Sequence, residues 1–103
     1  MYVLNYWHTV SDYAEWKKLF DSDPLGREAS GVRSYVIEHP LEDESTVVGH
    51  LQFDSLAEAE AFADRLDEMW NGSAGRIVSG AGHLISEVLE QKRLGGEASR
   101  RAA

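Results

Sequence analysis

Residues 2–20, YVLNYWHTVSDYAEWKKLF, decide the fold because they join a strand pattern directly to a helix pattern. Residues 2–8 are rich in aromatic and β-branched side chains and are apolar at both parities, which predicts a strand covered on both faces. Asp12 supplies a helix-capping side chain, and apolar residues then recur at helical spacing. Asp23-Pro24 ends the helix pattern, because proline disfavours helical geometry in the residue before it.

A similar unit follows along the chain. Residues 32–39 and 46–53 are typical of two strands, and the polar residues 40–45 between them are typical of a hairpin loop. Ser55 and Glu58 form a capping box that opens a second amphipathic helix. Apolar and polar side chains alternate over residues 83–91, which predicts a fourth strand. The glycine-rich segment between that helix and that strand, residues 72–82, is predicted to be a mobile lid.

The predicted order, β-α-β-β-α-β, is that of the ferredoxin-like sandwich, an α+β fold. It places an antiparallel four-stranded sheet under two helices, with strand order 4-1-3-2. The other sheet face has no helices, yet several strands are apolar at both parities. We therefore expect a second copy of the chain to cover that face. The domain is predicted to span residues 1–93, followed by a disordered tail over 94–103.

The composition narrows the function classes. The chain has 103 residues, with 10 Lys+Arg against 18 Asp+Glu, and a formal net charge of −8. This sign disfavours nucleic acids and anionic membranes as partners. The lack of cysteine excludes disulfides, thiolate metal sites and a cysteine nucleophile. No run approaches the roughly 20 apolar residues that cross a bilayer. A cytoplasmic location is expected.

Two segments, VLNYWHTVSDYAEWKKLFDSDPLGREASGVRSY and LQFDSLAEAEAFADRL, resemble the dimeric α+β barrel superfamily. In that superfamily two ferredoxin-like subunits join their sheets into a barrel. Its members include cofactor-free antibiotic-biosynthesis monooxygenases, haem-degrading monooxygenases and aromatic polyketide cyclases. The resemblance implies a homodimer with the ferredoxin-like fold, and it implies a monooxygenase or a cyclase that uses no cofactor.

The predicted strand order gathers several polar and aromatic residues at one edge of the sheet. The end of strand one lies beside the start of strand four. The first helix begins at this edge, and the second helix ends at it. His8, His83, Tyr13, Trp7 and Trp70 therefore meet there, and His50 lies deeper, at the level of Asn5. Histidine is a common general acid or base near neutral pH, so His8, His83 and His50 are the candidate catalytic residues. The candidate substrate-binding residues are Asn5, Trp7, Tyr13, Tyr35, Phe62 and Trp70.

Three functions remain open. The first is an enzyme that acts on a small aromatic or apolar molecule, with a histidine moving a proton and Asn5 or Tyr13 holding an oxygen anion. The second is a module that binds such a molecule without reaction, and the third is a structural dimer whose interior is filled by side chains. The spacing of the histidines matches no metal motif, so no metal site is predicted. Asn5, an amide in an apolar strand, must find a hydrogen-bond partner.

Overall fold

A computed structural model describes residues 1–72, 75 and 77–95. The elements are β1 (Tyr2–Val10), α1 (Tyr13–Ser22), β2 (Val32–Glu38), β3 (Thr46–Phe53), α2 (Leu56–Asn71) and β4 (Val78–Glu87). The predicted α+β order and the predicted antiparallel sheet, with strand order β2-β3-β1-β4, are both confirmed. The two helices lie on one face of the sheet.

Both helices begin at the predicted capping residues. The Asp12 carboxylate accepts hydrogen bonds from the backbone N–H groups of Ala14 and Glu15, and the Ser55 hydroxyl accepts one from that of Glu58. Helix α1 is capped at its C-terminus by Asp23, which takes the left-handed conformation with a φ of 55°. The caps fix where each helix leaves the sheet, and so they fix which helix face packs on it.

The fourth strand differs from the prediction because it starts at Val78 and not at His83. β1 continues to Val10, and Val78 pairs with it. A bulge in β4 takes up the mismatch, and Gly80 has a positive φ of 62° there, which glycine adopts without strain. The end of the predicted lid is therefore part of the sheet, while residues 73, 74 and 76 lie outside the described residues.

Alternation along the central strand divides its side chains between two environments. Leu4, Tyr6, His8 and Val10 face the helices and are buried. Their neighbours on β1 point to the other side, together with residues of the other three strands. We call this side the open face; it includes Val3, Asn5, Trp7, Val36, Glu38, Val48, His50, Gly82, Leu84 and Ser86.

The core lies between the sheet and the helices. Helix α2 buries Ala59, Phe62, Ala63, Leu66 and Trp70 against it, and α1 buries Trp16. No described helix is long and apolar enough to cross a membrane. Of the predicted tail, 94–103, residues 96–103 lie outside the described part of the chain, and the domain boundary at residue 93 stays a prediction.

Candidate functional site

A cavity of about 50 Å³ lies between the sheet and the two helices, and we call it the aromatic cavity. Several of its half-buried or exposed lining residues form what we call its solvent side, and they are Asp23, Pro24, Leu25 and Arg27, which follow α1, and Met69 of α2. Ring side chains dominate the rest of its wall, so the cavity favours an apolar, planar occupant. These rings belong to Tyr6, His8, Trp16, Phe20, Phe62 and Trp70.

His8 is the polar group of this wall that is most removed from water. Its side chain is 2% exposed and is enclosed by three aromatic rings. Tyr6 stacks on it at 5.6 Å between ring centres, Trp16 lies at 5.5 Å, and Trp70 meets it edge-on at 5.6 Å. Among the described residues, nothing makes a hydrogen bond to His8 Nδ1. A buried polar atom without a partner costs free energy, which marks His8 as a candidate for contact with a ligand or an ordered water.

Burial also fixes the charge of His8. It lowers the pKa of His8 from 6.5 to about 4, because the imidazolium form loses its hydration. The ring is therefore neutral at pH 7 and can accept a proton or a hydrogen bond. Burial raises the pKa of Tyr6, so that phenol stays protonated beside it.

His83 and Tyr13 lie at the borders of this region. His83 pairs with Tyr6 in the sheet, and its Nδ1 lies 3.2 Å from Asp67 Oδ1 on α2. Tyr13 packs on Trp16 at 5.7 Å between ring centres but is 44% exposed. Neither residue lines the aromatic cavity. The end of β1 does lie beside the start of β4, as predicted. Of the three candidate catalytic histidines, however, only His8 lines the cavity.

Asn5 and His50 lie on the open face, on the far side of the sheet from the aromatic cavity. They are paired in the register of β1 and β3, at the common level that the strand order predicted. His50 Nδ1 lies 2.8 Å from Asn5 Oδ1, and the Asn5 amide donates to Ser86 Oγ at 3.0 Å. The partner that the sequence required for Asn5 is therefore supplied by side chains of the same chain.

Both ring nitrogens of His50 face oxygen acceptors. Its Nε2 lies 2.8 Å from Glu38 Oε1, and its Nδ1 faces the Asn5 carbonyl oxygen. The Asn5 amide orientation is fixed because its Nδ2 has the carbonyls of Val3 and Leu84 and the Ser86 hydroxyl as acceptors. Each ring nitrogen of His50 thus has an oxygen partner within the described part of the chain. These contacts hold the ring on the open face, away from the aromatic cavity.

Two other predicted residues lie outside the aromatic cavity. Trp7 was expected to wall it, but odd positions of β1 face away from the helices, and Trp7 lies across Gly82 on the open face. Tyr35 lies on the helix side but packs edge-on against Phe20, 5.2 Å between ring centres, at the outer border. Trp70 and Phe62 do line the cavity, as expected. The binding roles of all of these residues stay predictions.

Of the cavity residues that sequence reasoning missed, three matter most for the site. Tyr6 has the same strand parity as His8, and this alternation is the signal that could have placed it. Trp16 was recognised as an apolar helix position but not as a neighbour of His8. Arg27 had no signal, because it lies in the irregular segment after α1, where neither helical nor strand periodicity applies.

Solved structures with the same fold include three that bear on the site. The haem degrader MhuD from Mycobacterium tuberculosis, with two haems in its active site, has a TM-score of 0.66 and 20% identity, over 90% of this chain and 100% of that one. SnoaB, a cofactor-independent oxygenase from Streptomyces nogalater, has a TM-score of 0.67 and 11% identity, over 87% of this chain and 94% of that one. A dimeric ferredoxin-like protein from an uncultured marine organism has a TM-score of 0.63 and 10% identity, over 90% of this chain and 99% of that one.

At these identities the likeness establishes the fold and not the activity. The resemblance to the ferredoxin-like subunits of antibiotic-biosynthesis monooxygenases is thereby confirmed at the level of the fold. No family model matches the sequence, and comparison with curated proteins finds no related sequence.

The aromatic cavity does not fit haem. At about 50 Å³ it is far smaller than the roughly 300–1,000 Å³ of pockets that enclose a drug-sized ligand. Its one imidazole, His8, is enclosed by three rings, and an approaching iron would have to displace them. Asn5 lies on the opposite side of the sheet and cannot contribute. We therefore assign no haem chemistry to this cavity.

Proposed function

We propose that the protein is an enzyme that binds a small aromatic molecule in the aromatic cavity, with His8 as the group that accepts a proton from it. The observation that carries this proposal is the state of His8, which is buried, is neutral, and has no partner for Nδ1 among residues 1–72, 75 and 77–95. Structural histidines in a core normally have their ring nitrogens bonded. A ligand hydroxyl, or an acidic C–H next to a carbonyl, would supply the missing partner.

The chemistry follows from the surroundings of His8. A neutral imidazole that takes a proton leaves an enolate or phenolate next to an imidazolium, and the two charges attract strongly in a site with little water. The bound anion would thereby raise the pKa of His8 above its value in the free protein. The resulting carbanion can react with dioxygen, or it can attack a carbonyl of the same molecule and close a ring. Either reaction needs only a positioned base and no cofactor.

The size of the cavity sets a condition on this proposal. An apolar cavity that admits benzene measures about 150 Å³, which is well above the 50 Å³ present here. A ligand must therefore displace wall side chains such as Leu25 and Met69. Both side chains are only partly buried and lie outside the sheet, so their movement breaks no sheet hydrogen bond.

The same volume supports the alternative function, a non-catalytic dimer whose interior is filled by side chains or holds a small ligand without reaction. The two functions differ in turnover. We expect the purified protein to consume dioxygen with an anthrone-type quinol, or to close the ring of a polyketide-like diketone. His8→Leu should slow this at least about 100-fold, the lower end of general-base effects. His39→Gln, in the exposed hairpin, should leave it unchanged.

Each alternative has its own result. A ligand that raises the unfolding temperature and stays unchanged over hours would make the protein a binding module. If neither the quinol nor 2-naphthol changes the unfolding temperature, the interior is filled and the proposed function is wrong. Full activity in His8→Leu would move the reaction to another residue, with His83 and Tyr13 as the next candidates.

We further propose that a second copy of the chain covers the open face. Trp7, Val36 and Leu84 lie there, with 40%, 54% and 51% of their surfaces exposed. A single chain leaves this apolar sheet surface in water, and a twofold pairing of the same faces buries it. One structural neighbour is itself described as dimeric. A cytoplasmic location also stays a prediction.

Sedimentation velocity tests the pairing. The wild-type chain should sediment as a dimer, and Leu84→Arg should make it monomeric by placing a charge in the pairing surface. Leu56→Arg is the matched control, because Leu56 is similarly exposed at 43% but starts α2 on the other side of the sheet. A wild-type monomer at micromolar concentration, or equal effects of the two substitutions, would contradict the proposal.

A further inference from the structure

Arg27 brings a positive charge to the solvent side of the aromatic cavity. The centre of its guanidinium lies 3.9 Å from the Phe20 ring centre and 5.1 Å from that of Tyr35. The side chain is only 17% exposed. The aromatic faces therefore hold the charge largely out of water, where an electrostatic partner counts for more than it does at the surface.

The described residues use little of the hydrogen-bonding capacity of this guanidinium. It carries five N–H donors. Among the described residues, Nη1 donates to the Phe20 carbonyl at 2.8 Å, and Nε lies 3.6 Å from Asp23 Oδ1, beyond hydrogen-bond range. That carboxylate oxygen instead accepts the Arg27 backbone N–H at 2.9 Å. A half-buried cation with spare donors can take another acceptor.

A row of aromatic rings connects Arg27 to His8. Phe20, on which Arg27 lies, stacks on Trp16 at 5.1 Å, and Trp16 contacts His8 at 5.5 Å between ring centres. All four side chains line the aromatic cavity. The cavity thus has a cation at its solvent side, aromatic rings along its wall and a neutral imidazole among those rings.

We propose that Arg27 determines specificity by binding a carboxylate on the ligand, so that the substrates of this cavity are aromatic carboxylic acids. This inference rests on the proposed function, because it concerns the same cavity. A carboxylate matches the planar fork of a guanidinium, with two parallel N–H···O hydrogen bonds. The aromatic body would then lie along Phe20 and Trp16, and the reacting end would face His8.

The net charge of the chain and the Asp23 carboxylate both act against an anionic ligand, and this makes the role of Arg27 testable. The chain has a net charge of −8, which repels anions at long range. Asp23 also lines the cavity and partly neutralises Arg27. Binding of a carboxylate therefore depends on Arg27 directly, and Asp23→Asn should strengthen it.

The experiment compares 2-naphthoate with 2-naphthamide, which has the same rings and nearly the same shape but no charge. Binding is measured by calorimetry at low salt and pH 7. We expect naphthoate to bind the wild-type protein at least about tenfold more tightly than naphthamide, as charge-assisted hydrogen bonds predict. Arg27→Gln should reduce that ratio to about one. Arg33→Gln, which removes an exposed arginine paired with Asp54 on the surface, should retain it.

The outcomes separate this inference from the proposed function. Equal binding of the two compounds to the wild-type protein overturns the inference and leaves the cavity as a binding site. Binding of neither compound overturns both proposals. If neutral 2-naphthol binds as tightly as naphthoate, a hydroxyl and not a carboxylate is recognised, and the inference is wrong. Should Arg27→Gln not fold, Asp23→Asn decides, because it must strengthen naphthoate binding while naphthamide binding stays constant.

Discussion

The imidazole of His8 makes the core of this protein sensitive to acid. In the folded chain its pKa is lowered to about 4 by burial, whereas in the unfolded chain it is close to 6.5. Between these two values the unfolded state binds a proton that the folded state does not. The free energy of unfolding therefore falls as the pH drops through this window.

We expect His8 to account for on the order of 3 kcal/mol of stability lost between pH 7 and pH 4. Urea unfolding at both pH values measures it. His8→Leu, similar in volume but without a titrating group, should lose correspondingly less over the same interval. His39→Gln serves as the control, because His39 is exposed. Equal acid losses in wild type and His8→Leu would show that the ring titrates normally.

Side-chain identity alone did not distinguish the environment of His8 from that of His50. Both are histidines on neighbouring strands, and the sequence predicted their strands and their approximate levels. Strand parity separates them. His8 faces the helices, and its Nδ1 has no partner in the part of the chain that the structure describes, whereas His50 faces the open side and is bonded at both nitrogens. Parity depends on which face the helices cover, and the apolar residues at both parities hid that choice.

At the scale of elements, the close approach of β1 and β3 depends on Gly49. It pairs with Tyr6, and a Cβ added to Gly49 would lie 2.2 Å from the Tyr6 Cζ. Tyr6 is 3% exposed and stacks on His8, so its ring cannot move without disturbing that stack. The sheet therefore needs glycine at this position for steric reasons, and not for its backbone conformation.

Gly49→Ala should lower the free energy of unfolding by about 1–3 kcal/mol, as overpacking does in well-packed cores. It should also disturb His8, because Tyr6 has to shift. Chemical denaturation measures the first effect. Gly49→Ala combined with Tyr6→Leu, which removes the ring, should recover part of the loss. A fully stable Gly49→Ala protein would mean that the Tyr6 ring does not occupy this position.

The sequence predicted the elements well where local signals were strong. The capping residues Asp12 and Ser55 located the helix starts, and β3 has the predicted bounds. The start of β4 was missed because its glycines are typical of a loop. The structure uses Gly80 in a bulge instead. Pairing with the end of β1, a tertiary effect, decides that the segment is a strand.

At the scale of the whole molecule, the two sheet faces have different surroundings. The helix side encloses the aromatic cavity with His8 and Arg27, and the open face carries apolar side chains around the bonded group of Asn5, His50 and Glu38. The α+β topology could be predicted from the sequence because two split halves permit few arrangements. The cavity could not, because its size depends on how side chains pack and on an irregular segment.

On the proposed function, an aromatic ligand binds beside His8 and not on the open face. Nuclear magnetic resonance measures this directly, by titration of the protein with 2-naphthol while the ring signals of the histidines and tryptophans are followed. We expect the signals of His8, Trp16 and Trp70 to shift together and saturate, while those of His50 and Trp7 stay in place. Saturating shifts at His50 and Trp7 with His8 unmoved would contradict it.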